Sequence, residues 1–172
     1  MFARKWSAYT MDSSAPQTLV GRGHYSGVSS VAWSPNGKMI ASGSHYGSII
    51  IWNKIETTLR HTLKGHSYSV CVTWSPWDHI LASSSKQIDN WGDYYYGIIV
   101  IWNPIDGKEL KYIKDDKAIE SIAWSPSGDV LVSASEEQCI VWDTSTWTKR
   151  NYLSHLSMGR SVAWSLSGDF LA

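Results

Sequence analysis

Six histidines, two cysteines and a scatter of carboxylates are the side chains that could do chemistry in this chain. His24, His66 and His155 stand out, in the contexts Gly23-His24, Gly65-His66 and Ser154-His155. Imidazoles act as metal ligands or general bases only where partners meet them. These three lie 42 and 89 residues apart, far beyond the short local spacings of Cys and His metal sites. They read instead as residues that order loops, and His45, His61 and His79 as surface loop or edge residues. Cys71 and Cys139 fall in different predicted strands and read as small buried thiols rather than a disulfide or a metal pair. Asp115-Asp116 and Glu136-Glu137 read as solvated turns, not an acid–base pair. Gly21-Arg22-Gly23 begins like a phosphate loop, but no helix follows to offer its N-terminus. No Gly-x-Ser-x-Gly elbow is present. The sequence thus assigns no catalytic, cofactor-binding or metal-binding residue, and a non-enzymatic role is expected.

The elements that would position these side chains repeat. Val-Ala-Trp-Ser-Pro at Trp33 returns as Val-Thr-Trp-Ser-Pro at Trp74, Ile-Ala-Trp-Ser-Pro at Trp124 and Val-Ala-Trp-Ser-Leu at Trp164. A second signal, Ile-Trp-Asn at Trp52 and Trp102, returns as Val-Trp-Asp at Trp142-Asp143. Seven of the eleven tryptophans therefore occupy repeat positions. Each unit opens with a β-branched and aromatic run (Val28 to Trp33 in the first) and a tight turn, Ser34-Pro35-Asn36-Gly37. Two apolar strands follow, Met39 to Ser44 and Ser48 to Trp52, and then a more polar one, Thr58 to Leu63. The near-continuous apolar runs suit strands covered on both faces, and the alternating fourth suits an edge.

A period of ~40 residues with four short strands per unit, a Gly-His pair before the first and a Trp-Asp-like pair closing the third, resembles the WD-repeat family. The resemblance covers about residues 18–172. It implies an all-β fold, a β-propeller whose four-stranded blades surround a central channel. The repeats fall at about 18–64, 65–114, 115–153 and a truncated 154–172, behind a flexible lead-in of residues 1–17. That is about three and a half blades, expected as an incomplete ring or the N-terminal fragment of a larger propeller. Were the chain complete at residue 172, two copies could meet to close one ring. The family usually places an Asp in the turn between the second and third strands, bonded to the Gly-His imidazole. Here Tyr46 and Tyr96 occupy that position and Glu137 lies nearest it in the third repeat. The third repeat also carries Asp115-Asp116 where Gly-His is expected. Incomplete hydrogen-bond sets and a stability below that of a consensus propeller follow.

The second repeat is longer than its neighbours, 50 residues from Trp74 to Trp124 against 41 and 40 on either side. The extra residues lie between Ser85 and Gly97 and include Trp91, Tyr94, Tyr95 and Tyr96. Aromatic side chains on a loop over a rigid scaffold are candidate partner-binding residues; simple lengthening of a hairpin that packs on a neighbour is the equal alternative. The expected function is a scaffold that binds protein or peptide partners through its loop face. The alternative is the regulatory portion of a longer signalling enzyme such as a kinase. Lys plus Arg and Asp plus Glu are each 15, which argues against a nucleic-acid partner. The first ten residues hold no apolar core of a signal peptide, and no apolar run approaches the ~20 residues of a membrane span. A cytoplasmic setting without membrane contact is expected.

Overall fold

The computed structural model describes residues 4–9, 18–53, 59–77, 79–89, 92, 95–154 and 160–172. Three four-stranded antiparallel sheets follow one another along the chain. The first contains β3 (Val28–Trp33), β4 (Met39–Ser44), β5 (Ser48–Asn53) and β6 (Leu59–Lys64). The second contains β7 (Val70–Trp74), β8 (Leu81–Ile88), β9 (Tyr95–Trp102) and β10 (Glu109–Asp115). The third contains β11 (Ser121–Trp124), β12 (Val130–Ala134), β13 (Gln138–Asp143) and β14 (Thr148–Ser154). Each is a meander in which sequential strands pair, as the resemblance implies for a blade. In the fourth unit, the described residues show a single bridge, Trp164 to Leu171, with paired backbone bonds between Ala163 and Ala172.

The N-terminus differs from its expected form. Residues 4–9, read from sequence as part of a flexible lead-in, form β1 (Arg4–Tyr9), which pairs antiparallel with β2 (Thr18–His24). The register is that of a blade's outer strand pair. Trp6 faces Gly21, three residues before His24, as Ile49 faces Leu63, three residues before His66. The run Arg4-Lys5-Trp6-Ser7-Ala8-Tyr9 matches no repeat, so its pairing with β2 has no signature in the sequence.

Alternate residues of one strand enter different interfaces, which explains the unbroken apolar runs. Ile98, Val100 and Trp102 of β9 pack with Ala41, Ile49 and Ile51 of the first blade. Ile99 and Ile101, pointing the other way, pack with Ile122, Trp124, Leu131 and Ile140 of the third. Each fully buried isoleucine contributes roughly 2–3 kcal/mol of burial, so two interfaces per strand outweigh any single polar bond. The first strands lie side by side at the inner edge and are stitched by hydroxyls. Ser29 Oγ donates to the Val70 carbonyl (2.7 Å), Val72 N donates to Ser30 Oγ (3.2 Å), and Val162 N donates to Ser121 Oγ (3.3 Å). Trp74 Nε1 donates to the Ala32 carbonyl at 3.0 Å.

The Ser-Pro-x-Gly turns form as their composition requires. Gly37, Gly128 and Gly168 have φ of 66°, 73° and 80°, and their amides donate to Ser34, Ser125 and Ser165 carbonyls. The serine hydroxyl then accepts the amide that starts the next strand, Met39 N at 3.0 Å and Val130 N at 3.2 Å. The turn between second and third strands has a different constraint. Gly47 has φ 76°, and a Cβ there would fall on the His66 carbonyl of the following blade's entry loop. The corresponding Gly97 lies likewise against the Lys117 carbonyl and Ile119. These turns and the loops entering the next blade therefore share one end of the molecule. Gly37 has open space around it, so Gly37→Ala should cost about 1 kcal/mol of left-handed strain alone. Gly47→Ala adds the collision and should cost roughly 3 kcal/mol or more. Chemical denaturation of both variants checks this, and equal costs would show that the entry loop yields freely.

Candidate interaction face

The repeat histidines are committed to the frame. His24 is buried, with Nε2 2.7 Å from Ser42 Oγ and Nδ1 2.7 Å from Ser48 Oγ. Trp52 Nε1 donates to the same Ser42 hydroxyl at 3.0 Å. The second blade repeats the arrangement. His66 Nε2 lies 2.7 Å from Ser83 Oγ and Nδ1 2.8 Å from Ser85 Oγ, while Trp102 Nε1 donates to Ser83 Oγ at 2.7 Å. Serine hydroxyls thus take the place at Nδ1 that the family's Asp usually fills, so these sets are closed rather than broken. Ser48 lies two residues past Tyr46, whereas Ser85 lies within β8 rather than beside Tyr96 in the chain. The recurring signal was serine, Ser42 and Ser83 at one offset and Ser133 at the same offset in the third blade. His155, the third repeat histidine, lies outside the described residues.

The third blade uses charge instead. Trp142 Nε1 still donates to Ser133 Oγ (2.8 Å), but Asp115-Asp116 stands in the sequence where the other units carry Gly-His. Asp115 is buried, not the solvated turn residue expected from sequence. Lys149 Nζ lies 3.4 Å from Asp115 Oδ1 and 3.7 Å from Asp116, and 5.4 Å from the Trp142 ring. Burial, then the hydrogen bond with Asp116, raises the Asp115 carboxyl above the usual carboxylate range, with Lys149 opposing. Cys71 and Cys139 are free and half-buried, not fully buried as expected. His45, His61 and His79 make loop contacts: His45 Nδ1 to Ser69 Oγ at 2.8 Å, His61 Nε2 to the Ile105 carbonyl at 2.8 Å, His79 Nδ1 to the Trp77 carbonyl at 2.9 Å. Among the described residues no group of three or more His, Cys, Asp or Glu could hold a metal ion. None of their helices is long and apolar enough to cross a membrane.

The repeat tryptophans sort by cover. Trp74, Trp124, Trp52, Trp102 and Trp142 are buried, Trp164 is half-buried, and Trp33 is 40% exposed. Trp74 is closed over by the blade before it, whereas β3 has no four-stranded sheet on that side among the described residues. Asp143 accepts from the Ser145 and Thr146 amides at 2.9 and 3.1 Å and from both hydroxyls, which hold its carboxyl down at about 2. This is a turn-ordering role.

The insertion builds a longer hairpin. Lys86, Gln87 and Ile88 pair with Gly97, Tyr96 and Tyr95. Trp91 and Tyr94 lie outside the described residues. Tyr96 is half-buried, packs on the core between the first two blades, and takes Lys114 Nζ over its ring at 4.0 Å. Tyr95 is 51% exposed, with Lys86 Nζ 5.7 Å from its ring. The extra strand length thus divides the two described tyrosines, one into packing and one toward solvent. This hairpin, the 116–120 loop and the 135–137 turn stand at the same end, where they bound a hollow.

Comparison with known proteins fits this architecture. The family described as WD domain, G-beta repeat matches residues 16–53, 57–103 and 107–143. The chain belongs to the WD-repeat family. It is 44% identical over 78 residues to the intraflagellar transport protein 122 homolog of Mus musculus, covering 44% of this chain and 6% of that protein. It is 33% identical over 79 residues to the probable cytosolic iron-sulfur protein assembly protein 1 of Kluyveromyces lactis, covering 40% of this chain and 24% of that protein. The WD-repeat chain thus spans under a quarter of these relatives' lengths. Its fold matches a chain of the mitotic checkpoint complex with a TM-score of 0.81 at 24% identity, over 95% of this chain and 52% of that one. It also matches the WD40 repeats of RRP9 with a TM-score of 0.72 at 22% identity, over 82% and 43%. At these identities the solved structures establish the fold, an all-β set of propeller blades.

The enclosed imidazoles of His24 and His66 have a consequence for acid stability. Burial drives His66 down to about 4 from 6.5, and His24 shifts the same way for the same reason. Folded His66 stays neutral while the unfolded imidazole takes a proton near 6.5. Stability therefore falls as pH drops from 6.5 to about 4, by roughly 3 kcal/mol at most for this group. Urea midpoints across that window should show the decline, and His66→Gln should flatten it. An unchanged slope in the variant would place the acid sensitivity elsewhere.

Proposed function

We propose that this WD-repeat chain is a non-enzymatic scaffold that binds protein or peptide partners on the end carrying its lengthened hairpin. The observation that carries this reading is the division of labour among the residues that could do chemistry. His24 and His66 are held by two hydroxyls each, and Asp143 orders a turn. Exposed aromatic surface at the loop end is supplied by Tyr95, mounted on two paired strands rather than on a free loop. Rigid mounting lowers the entropy lost on binding. The second blade, packed through both faces, provides the fixed platform. The relatives' names, intraflagellar transport and iron-sulfur protein assembly, describe transport and assembly roles, in keeping with a scaffold. The second of them is called cytosolic, in keeping with a cytoplasmic setting.

The test compares partner capture by the chain with and without residues 86–96, and by the Trp91→Ala and Tyr95→Ala variants. Each alanine should weaken capture of the recovered partner roughly tenfold or more, the scale of an interface hot spot, with no change in unfolding midpoint. Loss of folding would assign these aromatics to packing. Undiminished capture without the segment would move binding off this hairpin.

A further inference from the structure

The hairpin formed by β8 and β9 is one wall of a groove between the second and third blades. The groove encloses about 470 Å³, and its other walls come from the 116–120 loop and the 135–137 turn. Lys86 and Glu120 also line a second hollow of about 370 Å³, which leads past Ser29, Ser69 and Arg160 at the inner strands. The two together form a path running from the inner edge of the blades outward beneath Tyr95. A path of this shape suits an extended chain better than a compact small molecule.

The chemistry of the groove is asymmetric. The chain as a whole carries no net charge, yet the groove sets Asp116, Glu120, Glu136 and Glu137 against Lys86 and Lys117, with Arg160 the one further cation among the described residues of the second hollow, which Glu120 also lines. Lys117 Nζ is 3.0 Å from Glu137, so that lysine already answers an acid of the groove itself. Glu120 and Glu136 are exposed and have no ion pair among the described residues. Above them stands the half-exposed ring of Tyr95, whose face already draws the Lys86 ammonium. Carboxylates beside a half-exposed aromatic ring suit a cation carried on an apolar stem, which packs against the ring while the charge meets the acids.

We propose that this groove binds an extended peptide segment carrying a lysine or arginine, with the cationic head at Glu120 and Glu136 and the methylene stem against Tyr95. The proposal rests on the scaffold reading above and names the partner for that same end of the molecule. A metal ion is disfavoured because no three ligating side chains converge there among the described residues. Nucleic acid is disfavoured because its phosphates would meet the excess of carboxylates.

Fluorescence anisotropy on the 172-residue chain tests this with labelled Gly-Ser peptides of about ten residues, a length that fits a groove-bound extended segment. The central pair is Arg-Arg, Lys-Lys, Gln-Gln or Glu-Glu. The basic peptides should bind at least about tenfold tighter than the Gln and Glu peptides and weaken as salt rises. The isosteric double variant E120Q/E136Q should lose about tenfold, and Tyr95→Ala about threefold. Glu109→Gln, on β10 outside the groove, should bind as the parent does, and all variants should keep the parent's unfolding midpoint. Equal binding of basic and neutral peptides, or an unaltered E120Q/E136Q variant, overturns the proposal. The two readings fail separately. Capture that needs residues 86–96 while basic peptides ignore Glu120 and Glu136 removes the groove and keeps the scaffold. Peptide binding that needs those carboxylates while capture ignores the hairpin does the reverse.

Discussion

A four-stranded blade is one sheet with two apolar faces and no interior of its own. Everything in this molecule follows from that constraint. Ile98 and Val100 turn toward the first blade, Ile99 and Ile101 toward the third, and no residue of β9 from Gly97 to Trp102 is left for solvent. Burial exists only where a neighbour supplies it, so stability is a property of interfaces rather than of single blades. The exposure of Trp33 beside the closure of Trp74 shows the same rule at one residue type. The indole is equally apolar in both, and only the adjoining sheet differs.

Polar bonds serve this packing by fixing the spacing of blades. Serine does most of it, and in three separate ways. Ser29, Ser30 and Ser121 bridge inner strands, Ser34 and Ser125 close turns, and Ser42, Ser83 and Ser133 receive the tryptophan indoles. A hydroxyl donates and accepts at once, which lets Ser42 serve an imidazole and an indole together. A carboxylate at Nδ1 would hold a charged imidazole. A hydroxyl can hold a neutral one, and burial keeps His66 neutral down to about 4. The third blade reaches a similar geometric end by burying Asp115 beside Lys149. Its cost in desolvation is offset by the ammonium, which also lies over Trp142.

The repeat made the blades legible, down to the Ser-Pro-x-Gly turns and nearly every strand. The fourth strand of the first blade, Leu59–Lys64, runs one residue past the expected Leu63, and the expected start at Thr58 lies outside the described residues. What the repeat could not reveal lay where copies depart from one another. β1 was missed because pairing across a long connection leaves no local pattern in Arg4–Tyr9. Asp115 looked solvated because two adjacent acids seldom share a site, and the lysine that permits it lies 34 positions away. The serine sets were overlooked because serine is common in turns, so its return at a fixed offset carried little weight against the tyrosines nearby.

The insertion is where the constraint on packing and the opportunity for binding meet. Adding residues to the turn between second and third strands in register extends β8 and β9 by whole pairs. The period of two then sends successive side chains to opposite faces. Tyr96 thereby turns to the core and Tyr95 away from it, so a single short extension yields both an anchor and an exposed ring. Gly97 has no such latitude, because the Lys117 carbonyl lies where its Cβ would be. That contact locks the base of the hairpin to the 116–120 loop, which is the opposite wall of the groove. The two walls are therefore set by the same close approach that joins the blades, and the groove inherits its rigidity from the packing beneath it.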